Sequence, residues 1–181
     1  RNGQTEPVQF DKITQRLQQQ VDREPALKNV DPVKVAVATI SSIHDMVTTE
    51  ELDRESARIS GSLQSVHPDY ATLASRIMVS NLHKSTLGKF SECMLKVQTH
   101  MNNEFDVNYI HPNYMKFITL NAEAIDSMID SSSDYAIDYY AYKNYEKSYL
   151  IRLKNHYIHK SDDKGREVGT HVFPICDRPC Y

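Results

Sequence analysis

Val47-Thr48-Thr49-Glu50-Glu51-Leu52-Asp53 is the stretch whose reading decides the fold. Thr48 followed three residues later by Glu51 makes a capping box: the hydroxyl accepts from the Glu51 backbone N–H, and the carboxylate returns to the Thr48 N–H. Val47 and Leu52 flank the box as a hydrophobic staple. The run it opens carries Leu52, Ser56, Ile59, Leu63 and Val66 at spacings of four and three, which is one buried stripe of a helix. Downstream, Pro68-Asp69 starts a second helix that turns Leu73, Ile77 and Leu82 inward. It runs to about Leu87, before Gly88 stops it. Upstream, Asp31-Pro32 offers a capping side chain and a proline whose missing N–H costs nothing at a first turn. Val33, Val35, Val37 and Ile40 follow; their alternation would permit a strand, but the start signal and the intervening alanines favour a helix.

Farther toward the start, Asn2-Gly3 is a strong turn dipeptide and Val8-Gln9-Phe10 alternates like a short strand. Asp11 is then placed to cap a helix with Ile13 and Leu17 on one face, and Lys12 and Arg16 four apart on another. Asp22 to Asn29, with Pro25, suits a loop. Beyond Gly88, Phe90–Met101 reads as a helix, Asn102–Asn113 as a polar connection and Tyr114–Ile129 as a further helix ended by Asp130-Ser131-Ser132-Ser133. Alternation over Tyr135, Ile137, Tyr139 and Ala141 suggests an extended stretch from Tyr135 to Tyr149. Residues 153–177 read as a strand, a charged turn at Asp162-Asp163-Lys164-Gly165 and a return strand.

The totals narrow the function classes. A chain of 181 residues holds one ordinary domain, or a small domain and part of a second. Five Gly and seven Pro are few for this length and favour helices. A net charge of −3 argues against broad nucleic-acid binding, which needs a basic face to release counterions from phosphates. No apolar run approaches the roughly 18 residues of a membrane span. Cys93, Cys176 and Cys180 cannot make a disulfide framework, and one Cys pair four apart is weak evidence for a metal site. A reducing, cytoplasmic setting is the expectation. Neither Arg1 nor Tyr181 reads as a natural terminus, so the chain is expected to be a piece of something longer.

Arg1, Lys12, Arg16 and Lys84 are candidate cations for phosphates, although scattered basic residues are more often solvated surface. Thr49 and Asp53, four apart near a helix start, could hydrogen-bond a ribose. An Asp there also complements the helix dipole, which is the commoner reason for one. His44-Asp45 and His83-Lys84, each near a helix end, have the same ordinary explanation. No P-loop, dinucleotide fingerprint, His-Glu-x-x-His or Cys-His-acid grouping is present, so no catalytic set stands out.

Several stretches together resemble one family. Arg1-Asn2-Gly3 followed by Glu6-Pro7-Val8-Gln9-Phe10-Asp11-Lys12-Ile13 resembles the opening of the ATP-cone in ribonucleotide reductase large subunits. Val47 to Asp53 resembles its second signature. His67-Pro68-Asp69-Tyr70-Ala71 with Val79-Ser80-Asn81-Leu82-His83-Lys84 resembles its third. The similarity continues through Asp134-Tyr135 to Tyr142-Lys143, Glu146 to Leu150 and Asp177-Arg178-Pro179, which are similar to the start of the reductase body in the eukaryotic-type class I enzyme. It is weakest between residues 90 and 130.

The resemblance implies a mainly α protein. Residues 1–88 would form an ATP-cone, a small N-terminal β-hairpin on a helical bundle, and residues 89–181 the beginning of the helical N-terminal region of the body. It implies ATP as activating and dATP as inhibiting effector, with Mg2+, self-association through the cone, and a radical-generating small subunit as partner. Arg1 and the segment Glu6, Pro7, Val8, Gln9, Phe10, Asp11 and Lys12 would surround the nucleotide, with Arg1 and Lys12 near the phosphates. Thr49 and Asp53 would lie by the base and sugar, and Lys84 would reach the phosphates. The radical-site cysteines of the family are expected beyond residue 181. The family pattern has a Lys before the position of Arg1. It also has a Gly where Met46 stands, a Gln where Cys180 stands, and a shorter hairpin over residues 153–176. Two other readings stay open: a cone-bearing transcriptional repressor, which needs a four-cysteine zinc ribbon, and a helical interaction module that has lost its nucleotide.

Overall fold

In this computed structural model the residues described are 7–44, 46–105, 110–149, 151–154 and 172–175. Four helices carry most of the first compact unit: α1 (Phe10–Val21), α2 (Pro32–Ser42), α3 (Thr49–Ser62) and α4 (Asp69–Ser85). The unit runs to Lys84 and then takes in a later segment, Ser132–Glu146.

The capping box forms as the sequence dictates. Thr48 N donates to Glu51 Oε2 at 2.8 Å, and Glu51 N donates to Thr48 Oγ1 at 3.1 Å. Donation from the Thr48 N–H, and then from its hydroxyl at 2.8 Å, holds the Glu51 carboxyl below the usual carboxylate range. Asp31 caps α2 by accepting from Val33 N and Lys34 N, with Pro32 in the first turn. The helical period of α2 buries Val35, Ala36 and Thr39 while Val33 and Val37 stay exposed, so the alternating valines are divided between two faces of a helix. Met46 adopts a left-handed φ of 64°. That conformation favours glycine, because a side chain there crowds the backbone.

α4 is the central element. Leu73, Ala74, Ile77 and Met78 have no exposure at all, and they meet Ile13, Leu17 and Val21 of α1, Val35 and Ala36 of α2, and Ala57 and Ile59 of α3 in one core. Buried Arg76 stands at the edge of that core. Its guanidinium donates to the carbonyls of Gln20 at 3.0 Å, Arg23 at 2.8 Å and Pro25 at 2.7 Å, closing the loop after α1 onto α4. Burial, and then the neighbouring charge of Arg23, pull its pKa below the ordinary guanidinium value. The start of α4 holds the same loop from the other side: Asn29 donates from N and Nδ2 to Asp69, and Asp31 N donates to the Tyr70 hydroxyl.

Ser132–Glu146 comprises most of a 3-10 segment (Ser131–Ala136) and of α8 (Tyr139–Ser148). The extended stretch expected from Tyr135 to Tyr149 is therefore helical. Asp138 Oδ1 accepts from Tyr140 N at 2.6 Å and Ala141 N at 3.0 Å, a helix start that outweighs the alternation. Tyr139 and Tyr142, three apart, are the buried pair of α8, and burial raises the Tyr139 phenol pKa.

The second unit contains α5 (Phe90–Phe105), α6 (Pro112–Leu120), α7 (Ala122–Met128) and an antiparallel pair, β1 (Ile151–Lys154) with β2 (Val172–Ile175), in which Ile151 faces Ile175. Ser91 donates from N and Oγ to Asp126 at 3.1 and 2.6 Å, tying α5 to α7. The Ser91 hydroxyl, followed by its backbone N–H, holds that carboxyl low. Cys93, Val97 and Ile118 are all buried, the cysteine as a small apolar residue.

Other expectations need correction. α1 starts at Phe10 behind an extended Gln9 that makes no side-chain cap, so Asp11 is a first-turn acid and not the cap. The helix expected from Tyr114 to Ile129 starts at Pro112 and breaks at Asn121, whose Nδ2 bonds the Phe117 carbonyl. α4 ends at Ser85 and not at Leu87, and α5 runs past Met101 to Phe105. Val66 lies beyond the end of α3 and is exposed. Val8 and Gln9 enter no strand among the described residues. Asn2-Gly3 with the rest of the expected hairpin, Asp45, the 162–165 turn, Cys176 and Cys180 lie outside the described residues.

Candidate functional site

Three helices each contribute polar residues spaced by four, and the packing sets them side by side. On α4, Arg76, Ser80 and Lys84 share one face. Arg76 meets the Gln20 carbonyl of α1, and Ser80 Oγ accepts from Arg16 Nη2 at 2.9 Å. Moving one turn up α4 thus corresponds to one turn down α1, so the two helices run antiparallel here.

Asp53 of α3 joins the two cationic helices. Its Oδ1 accepts from Arg16 Nε at 3.4 Å, and its Oδ2 lies 3.9 Å from Lys84 Nζ. Asp53 is buried, 8% exposed, while the Lys84 side chain retains 44% of its accessibility. The carboxylate is thus fixed in the protein, and the ammonium reaches it from the solvent side. Thr49, one turn before Asp53 on α3, is exposed. Arg16 and Lys84 thus converge on one carboxylate within a chain of net charge −3.

The segment leading into α1 borders this cluster in sequence. Pro7, Val8, Gln9, Phe10, Asp11 and Lys12 are all exposed, with Val8 at 53% and Phe10 at 39%. Large apolar side chains left open beside converging cations can receive an apolar ring that carries an anionic tail. Arg1 and Glu6 lie outside the described residues.

Of the residues expected at a site, the structure brings Asp53 and Lys84 together, with 3.9 Å between Oδ2 and Nζ. Ser80 was quoted in the sequence only as part of a motif. Arg16 was a candidate cation, four residues after Lys12, with nothing in the sequence to single it out. Its i, i+4 spacing from Lys12 was the available signal, and its partner Asp53, 37 positions away, was not readable from spacing. Among the described residues no group of three or more His, Cys, Asp or Glu could hold a metal ion.

No family model matches the chain. It is 37% identical over 182 aligned residues to the ribonucleoside-diphosphate reductase large subunit of Variola virus, an alignment covering 97% of this chain and 23% of that protein. It is 38% identical over 174 residues to the subunit of the same name in Caenorhabditis elegans, covering 95% and 22%. The Arabidopsis thaliana subunit is 36% identical over 174 residues, covering 95% and 21%. The chain spans less than a quarter of the length of these curated relatives.

Proposed function

We infer that this chain, a homologue along 97% of its length of ribonucleoside-diphosphate reductase large subunits, is a regulatory part of such a reductase and binds an adenine nucleotide. The first unit acts as an ATP-cone: ATP activates and dATP inhibits the reduction of ribonucleoside diphosphates, which a radical-generating small subunit supports. Self-association of the cone carries the signal. The observation that carries the reading is the meeting of Arg16, Lys84 and Asp53 at the junction of α1, α3 and α4, on residues that the family resemblance assigns in large part to nucleotide.

Each residue has a role that its chemistry suits. Lys84 and Lys12 are mobile point charges for the phosphates, with Mg2+ bridging phosphate oxygens and no protein cage required. Arg16 keeps its guanidinium fixed through Ser80 and Asp53, so its positive charge is presented without reorganisation. Val8 and Phe10 cover the adenine, and Thr49 and Asp53 face the base and sugar. ATP and dATP differ only by the 2′-hydroxyl. A carboxylate acceptor already committed to Arg16 and Lys84 responds to that hydroxyl by redistributing its hydrogen bonds.

Titration of ATP into charge-deleted variants tests the assignment. Arg16→Met and Lys84→Met each weaken ATP by about tenfold or more, a loss of one charge-assisted contact. Lys34→Met, on the exposed face of α2, leaves affinity unchanged. Site variants that bind ATP as tightly as the parent chain overturn the location.

A further inference from the structure

We propose that Ser132–Glu146 is a coupling strap that senses the state of the Arg16–Asp53–Lys84 cluster through the residues next to it on α3 and α4. Six separate contacts fasten the strap to the rest of the first unit. His83 Nε2 meets Asp134 Oδ2 at 2.6 Å, and the His83 ring stands edge-on to Tyr135 with centroids 5.5 Å apart. The Arg23 guanidinium lies 3.4 Å above the Tyr135 ring, a cation–π contact. The Ser75 hydroxyl donates to the Ile137 carbonyl. Arg54 Nη1 pairs with Glu146 Oε1 at 3.1 Å. The Tyr139 ring lies directly on Gly61 of α3.

The coupling lies in two pairs of sequence neighbours. On α3, Asp53 faces the cluster and Arg54 faces the strap. On α4, Lys84 faces the cluster and His83 faces the strap. Consecutive residues of a helix project about 100° apart, so one rigid rotation of either helix moves a cluster contact and a strap contact together. Arg23, which stacks on Tyr135, also supplies one of the carbonyls held by Arg76. Both ends of the strap lead along the chain into residues of the second unit, Ser131 before it and Lys147 after it. A change at the cluster that loosens or tightens the strap therefore acts on the polypeptide at both ends of the strap. That adenine nucleotide is the ligand causing the change rests on the reading above; the mechanical link between cluster and strap does not.

Hydrogen exchange of the 181-residue chain, followed on peptides covering 132–146, tests the link in two arms. In the first, ATP with Mg2+ is added at concentrations for which calorimetry on the same sample has measured occupancy. In the second, Asp53→Asn and Lys84→Ala are each compared with the parent chain without nucleotide, with Lys34→Ala as charge-matched control and far-UV circular dichroism to verify folding. The strap amides change exchange rate on the order of fivefold in at least one folded cluster variant and on ATP binding, while Lys34→Ala leaves them unchanged. By reciprocity, His83→Gln changes ATP affinity by a similar factor. Exchange in 132–146 that stays constant in the cluster variants, while peptides of α1 and α3 respond, overturns the strap. Absence of ATP binding overturns the nucleotide reading alone, because the variant arm still decides the coupling.

Discussion

Arg76 and Arg16 show how much the surroundings of one residue type matter. Arg76 is buried and its fork is spent on three backbone carbonyls at the end of α1 and in the loop after it. Arg16 is part-buried, its side chain 20% accessible, and its bond to Asp53 is long at 3.4 Å, a geometry in which an ion pair contributes little to stability. Arg76→Met is therefore expected to destabilise the first unit by about 2 kcal/mol, leaving three carbonyls unpaired, and Arg16→Met by about 1 kcal/mol or less. Urea unfolding of the two variants checks the order; equal midpoints would remove the loop-closing role of Arg76. Neither arginine was legible for what it does. Arg76 sits inside an apolar run, where the sequence offers no sign that distant loop carbonyls gather around it. Met46 was legible in part: a position where the family pattern has Gly is one where the backbone turns left-handed, and its φ of 64° meets that requirement without the residue.

Among the elements, those with their own start signals were readable and those set by packing were not. Thr48 with Glu51, and Asp31 with Pro32, state their helices within a few residues, because a cap is satisfied locally. Asp138 carried the same kind of signal for α8, but the alternating tyrosines around it suggested the wrong period. Gly61 held another unread clue, since a glycine inside a helix marks a close approach. A Cβ built there would lie 2.8 Å from Cε1 and 3.1 Å from Cδ1 of Tyr139. Ala is favoured over Gly in a helix by about 1 kcal/mol, whereas overpacking costs about 1–3 kcal/mol. The second effect wins because an aromatic ring in the core cannot swing aside. Gly61→Ala is expected to lower stability by about 1 kcal/mol and Gly61→Ala with Tyr139→Leu to recover most of it, as read from urea midpoints. A stabilising single substitution would mean that Tyr139 does not bear on α3.

Over the whole molecule, the helical character and the candidates Asp53 and Lys84 were legible in the residues, but the way the chain returns was not. The strap begins 48 positions past Lys84, and only tertiary packing reveals that Asp134 answers His83 and Glu146 answers Arg54. The antiparallel run of α1 and α4, which sets Gln20 against Arg76 and Arg16 against Ser80, is likewise a property of the fold. That packing turns scattered basic residues into one candidate phosphate site in a chain whose net charge is negative. Isothermal titration calorimetry of the chain with ATP and with dATP, each with Mg2+, tests this central claim most directly. The account predicts saturable binding of both nucleotides at one site on the first unit, weakened in Lys84→Met; no saturable binding of either up to about 1 mM would contradict it.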